Sequence, residues 1–118
     1  MDTLNIKEMM DMQAELFEMY KDEWSPRIPE NAHRSLLWSV GEMGEIIEVF
    51  QKHGCHEAVK PGPVREHLME ETVDTMMFLW DMLSCMGVTA EEFSDVYRRK
   101  HAFNTRRVFG VDKFTTDG

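Results

Sequence analysis

Cysteine is scarce in this chain of 118 residues: there are two, Cys55 and Cys85, in no CxxC or zinc-like spacing. Two separated thiols argue against a disulfide scaffold and for a reducing compartment. Long apolar runs are missing too. Nothing approaches the roughly 20 residues of a membrane span, so no membrane partner is expected. The opening Met1-Asp-Thr-Leu-Asn5 lacks the basic-then-apolar signature of a signal peptide, and the expected location is cytoplasmic. Positive charge is in deficit, with 13 Lys and Arg against 22 Asp and Glu and a net charge of −9. That balance argues against a nucleic acid polymer as partner. No repeat, low-complexity segment or strand-like alternation occurs.

What remains is helical periodicity. The spacing predicts a first helix over 4–22, with Leu4, Met12, Leu16 and Met19 on one side. Trp24-Ser-Pro-Arg-Ile-Pro29 breaks it, because two prolines this close cannot continue a helix. A second helix is expected over about 31–53, stopped by Gly54, then a loop over 55–62. Pro63 suits the first turn of a third helix running to Met86, with Gly87 as its stop. Thr89-Ala-Glu-Glu92 reads as a capping box opening a fourth helix over about 90–108. The fold class expected is all-α, a four-helix bundle in one domain over 1–110, with a polar tail over 111–118. The third helix is apolar nearly all round, with Met76, Met77, Phe78, Leu79 and Trp80 consecutive. A four-helix monomer would struggle to cover that surface, so a subunit interface is expected there. Most of the 11 methionines fall at helix-core spacing, where Met fills irregular gaps.

The chemistry gathers in the second helix, read from the recurrence of Leu37, Val40, Met43, Ile47 and Phe50. Glu42 and Glu45 lie three apart and project from one face, with Glu48 extending the arc. Two carboxylates about 4 Å apart repel by about 4 kcal/mol at an effective dielectric of about 20. Such a pair beside an apolar stripe needs solvent or a cation. Gly41 and Gly44 flank it, and glycine inside a helix costs roughly 1 kcal/mol against alanine. Their presence suggests close approach of another helix or a ligand. Glu71 and Asp74, with Glu70 beside them, form a second pair on the third helix. If the pairs face each other, they make an oxygen-rich site for a hard cation, Mg2+ or Mn2+. If they do not, they are a solvated acidic face. In the last helix Lys100, Asn104 and Arg107 share a face at i, i+4, i+7 and suit phosphate oxygens. The competing reading is a cationic helix end complementing its own dipole. Tyr97 starts the same stripe and reads as core or rim.

Taken in order, Trp38-Ser-Val-Gly-Glu-Met-Gly-Glu-Ile-Ile-Glu-Val-Phe-Gln51, Glu70-Glu-Thr-Val-Asp74 and Lys100-His-Ala-Phe-Asn-Thr-Arg-Arg107 resemble the MazG-type all-α nucleoside triphosphate pyrophosphohydrolases. The resemblance covers roughly residues 20–108 and is similar to the short dCTP pyrophosphatase-like branch. Val108-Phe109 stands where that branch often has Tyr-Pro, which leaves the base preference open. The resemblance implies a MazG-like bundle completed by oligomerisation, as homodimer or homotetramer. It implies cleavage of a (deoxy)nucleoside triphosphate between the α and β phosphates, giving monophosphate and pyrophosphate and clearing unwanted nucleotides. It would make Glu42, Glu45, Glu71 and Asp74 the magnesium ligands, with Glu42 or Glu45 taking a proton from water. Lys100, Asn104 and Arg107 would hold the phosphates, and Glu48 and Glu70 could support the metal ligands. Trp24 and Trp38, with Phe17 behind them, are candidates for contact with the base.

Two other readings compete. A di-iron carboxylate bundle needs two Glu-x-x-His motifs; only Glu30-Asn-Ala-His33 has that spacing, at a helix start. The loop pair His53 and His56 reads as solvated rather than metal-binding. A non-catalytic acidic interaction protein, using its Met-rich helix to bind partner helices, leaves the Lys100, Asn104, Arg107 stripe unexplained.

Overall fold

The computed structural model describes residues 2–107. The expected helix end at Val108, the Val108-Phe109 pair and the 111–118 tail lie outside the described residues. The chain is all-α, with no strand among them: α1 (Ile6–Tyr20), a 3-10 turn (Pro29–Asn31), α2 (Ala32–His53), α3 (Cys55–Ala58), α4 (Pro63–Cys85) and α5 (Ala90–Arg106). The five helices exceed the four expected because the stretch read as a loop holds one helical turn, α3. Gly54, at φ +77°, ends α2 and donates its amide to the Phe50 carbonyl at 2.8 Å. The chain then re-enters a helix for one turn, pinned by Ala58, which is 2% exposed.

Caps explain the other boundaries. α1 begins at Ile6 rather than residue 4 because Asn5 and Glu8 form a reciprocal capping box. Asn5 Oδ1 accepts the Glu8 amide at 2.8 Å and Glu8 Oε1 accepts the Asn5 amide at 3.0 Å. At α5, Thr89 Oγ1 accepts the Glu92 amide at 3.1 Å, as the sequence led us to expect. Pro63 occupies the first turn of α4.

The centre of the fold is the antiparallel pair α2 and α4, and small residues set its register. Ala32, Ser35 and Ser39 are buried on α2, and Ser39 faces Thr75 of α4. Ser39, fully buried, donates its hydroxyl to the Thr75 carbonyl at 3.1 Å. Thr75 in turn donates to the Glu71 carbonyl one turn back, at 2.9 Å. Moving from this crossing toward the α2 C-terminus reaches Glu42 and Glu45. Because the helices are antiparallel, the same direction along α4 reaches Glu71. The seam that locks the pair therefore also aligns the carboxylates.

Elsewhere the core is thin. Among the described residues the buried apolar set is Ala32, Val49, Ala58, Trp80 and Cys85. Trp80 is covered edge-on by Phe93 of α5, centroids 5.9 Å apart. The apolar stripe from which α2 was read lies open instead: Leu37, Val40, Met43, Ile47 and Phe50 are each more than two-fifths exposed, and so is Leu36. Leu36, Val40, Met43, Ile47 and Phe50 follow the 4-3-4-3 spacing of a helix–helix seam. Met69, Val73 and Met76 continue the exposed apolar surface on α4. The exposed apolar surface thus spans α2 and α4, whereas of the run on which an interface was expected Met77, Phe78 and Leu79 are half-buried and Trp80 is buried.

Candidate functional site

Glu42, Glu45 and Glu71 converge: each offers a carboxylate oxygen, and these lie within 4.8 Å of one another. Glu42 is half-buried, Glu45 exposed and Glu71 buried. Glu71 Oε2 is shut from solvent and has no hydrogen-bond partner. The nearest cationic candidate, His67 Nδ1, is 3.8 Å from Glu71 Oε1, beyond hydrogen-bond length. Contact with Glu45, then with Glu42, then burial push the Glu71 carboxyl from its ordinary 4.5 up to about 8. Three acidic side chains with no donor between them need either a shared proton or a cation. The orphaned oxygen and the all-oxygen donor set fit a hard divalent ion.

Glu42 and Glu45 also line a cavity of about 760 Å³, together with Asp74. Asp74 is exposed, one turn beyond Glu71, and stands outside the converging three. Trp24, Trp38 and Phe17 line the same cavity. Trp24 stacks on Tyr20 with centroids 5.3 Å apart, and Trp38 packs against Phe78 at 5.6 Å. Gly41 lines the cavity too, but a Cβ added at Gly41 or Gly44 would meet nothing within 4 Å. The close helix approach expected of these glycines is not made within the described chain.

The stripe expected to meet phosphates is elsewhere. Lys100, Asn104 and Arg107 do not line the cavity. α5 packs along α1 and against Trp80, and the Lys100 ammonium lies 5.0 Å from the Phe103 ring centroid. Asn104 and Arg107 are exposed. Glu48 pairs with Lys52 at 3.4 Å on the surface, and Glu70 is exposed outside the cluster.

The far wall of the cavity carries a polar group that the sequence reading passed over. Arg27, from the Trp24-to-Pro29 break, donates to Ser84 Oγ at 3.0 Å, to the Gln13 carbonyl at 3.1 Å and to Asp81 Oδ1. Gln13 Nε2 donates to the same Asp81 oxygen at 3.1 Å. The Arg27 guanidinium lies 4.5 Å over the Phe17 ring. Burial pushes the Asp81 carboxyl up, while Gln13 and Arg27 pull it back. One signal was available: Asp81 interrupts the apolar run from Met76 to Leu83, and a charge there needs a partner. No helix of the described chain is long and apolar enough to cross a membrane. Comparison with protein-family models, curated proteins and solved structures finds no match to this chain.

Proposed function

We propose that this chain is a divalent-metal-dependent nucleoside triphosphate pyrophosphohydrolase, cutting between the α and β phosphates to release monophosphate and pyrophosphate. The observation that carries the reading is the convergence of Glu42, Glu45 and Glu71 beside an aromatic-walled cavity, with a Glu71 oxygen buried and unpartnered. Glu42, Glu45 and Glu71 would hold the ion, with Asp74 completing its surroundings from the same cavity wall. Bound Mg2+ or Mn2+ would offset the triphosphate charge and lower the pKa of a coordinated water. Glu42 or Glu45, the two more accessible carboxylates, takes the proton from the attacking water. The water oxygen bonds to the α-phosphorus as the bond to the bridging oxygen breaks, and pyrophosphate departs. Trp24 and Trp38 stack on the base.

In this reading Lys100, Asn104 and Arg107 neutralise the departing pyrophosphate, and a second copy of the chain brings them to the cavity. The exposed stripe Leu36, Val40, Met43, Ile47 and Phe50 supplies a surface through which copies would dock as homodimer or homotetramer. The physiological role that fits is removal of unwanted nucleotides. That same open stripe favours a second reading, a non-catalytic acidic bundle that binds partner helices. Glu45→Gln separates them. The hydrolase reading expects a folded variant with metal-dependent turnover abolished; normal hydrolysis by Glu45→Gln would overturn the metal assignment. Absence of turnover in the wild type would favour the interaction protein.

A further inference from the structure

We infer that Asp81, oriented by Arg27 and Gln13, reads the ring edge of the nucleotide and selects bases that carry an exocyclic amino group. This rests on the proposal that the cavity takes a nucleotide. Asp81 follows Asp74 by seven residues, so both share one face of α4 about two turns apart, roughly 10.5 Å at 1.5 Å per residue. Both line the same cavity. With phosphates at the carboxylate end, a base lying between Trp24, Trp38 and Phe78 points its edge toward Asp81.

The hydrogen bonding at Asp81 is lopsided. Arg27 and Gln13 both donate to Oδ1, and Oδ2 receives no hydrogen bond among the described residues. An arginine–carboxylate pair built for stability alone would engage both oxygens in a fork. Here Arg27 uses its terminal N–H groups on Asp81 Oδ1, Ser84 and the Gln13 carbonyl and leaves its buried Nε–H without a partner, which fixes Asp81 through one oxygen and leaves Oδ2 for something else. Gln13, 5% exposed, spends its amide N–H on Asp81 and leaves Oε1 without a partner. Buried acceptors left unmatched are costly and uncommon. The Gln13 oxygen is shut from solvent, so the acceptor left for a ligand is Asp81 Oδ2, which matches an N–H of an amino group. A ring carbonyl at that place would face carboxylate lone pairs. Pockets of this kind, apolar with a few converging polar groups, obtain their specificity from those groups.

The test uses matched nucleotides that differ only in amino against carbonyl: cytidine and uridine monophosphate, and adenosine and inosine monophosphate. Binding to the full chain with magnesium is followed by quenching of tryptophan fluorescence, since Trp24 and Trp38 line the cavity. The wild type should favour the amino member roughly ten- to a hundredfold, the worth of one charged hydrogen bond. Asp81→Asn, whose amide can donate to a carbonyl, should bring the ratio to about one or reverse it. An Asp81→Asn protein that keeps the wild-type ratio overturns the inference. So does a wild-type ratio near one, a result that needs no variant to fold. Pyrophosphate release in parallel separates the two claims. Discrimination without hydrolysis removes the hydrolase reading and keeps this one, whereas hydrolysis without discrimination does the reverse. Failure of every nucleotide to bind removes both.

Discussion

Arg27→Leu should destabilise the fold by about 3 kcal/mol, and the structure says why. The side chains of Arg27 and Asp81 are 13% and 16% exposed, so removing one leaves the other charged and largely dry. Breaking such a pair costs about 3–5 kcal/mol. The bonds to Asp81, Ser84 and the Gln13 carbonyl are each worth about 1–3 kcal/mol, and the contact over Phe17 adds about 0.5–1. Leucine recovers about 1.5 kcal/mol by burying its own side chain. Residual water at the pair keeps the estimate at the low end. With a urea slope of about 1–3 kcal/mol/M, the unfolding midpoint should fall by about 1–3 M. The double variant Arg27→Leu with Asp81→Leu removes both charges and should sit within about 1 kcal/mol of the wild type, recovering about 2 kcal/mol of the loss in the single variant. A single variant within about 0.5 kcal/mol of wild type, or a double variant no better than the single, would refute the argument.

Other consequences are as direct. In chelator, the fold holds a proton on Glu71 up to about pH 8, where the unfolded chain has lost it near 4.5. Stability should therefore fall as pH rises through that window, and Glu71→Gln should flatten the slope; urea midpoints across the window decide, and a flat wild type contradicts it. Metal binding must displace that proton, so affinity by titration calorimetry should tighten with rising pH and level off above about 8. Val40→Glu with Ile47→Glu places charge in the open α2 stripe and should yield a monomer by light scattering without loss of helix; an unchanged mass removes that stripe from the interface. Lys100→Ala should lower kcat/KM by roughly ten- to a hundredfold, about one to two lost charged bonds, with metal affinity unchanged by calorimetry. Unaltered turnover would take α5 out of the site.

The helices were legible because punctuation and period agree: Gly54, Pro63, Gly87 and Thr89 all stand at the boundaries read from them. The capping box of Asn5 and Glu8 has the same form as the one read at Thr89, yet it was missed because Leu4 extended the apolar pattern past it. The meeting of Glu42 and Glu45 with Glu71 was legible as a pair of helical spacings. Its register was not, since that depends on Ser39 and Thr75, whose hydroxyls carry no periodic signal. Burial was the hardest to read. A stripe of large apolar residues and a stripe of small ones both run along α2, and the intrachain seam takes the small ones because they let α4 approach. The Arg27–Asp81 link joins a loop to a helix 54 residues away, a separation at which spacing says nothing.

The most direct measurement is product analysis with nucleoside triphosphates in water enriched in heavy oxygen, with magnesium and with chelator. The account predicts magnesium-dependent pyrophosphate carrying no label and monophosphate carrying one labelled oxygen, both lost in Glu45→Gln. Orthophosphate as the first product, label in the pyrophosphate, or equal turnover in chelator would contradict it.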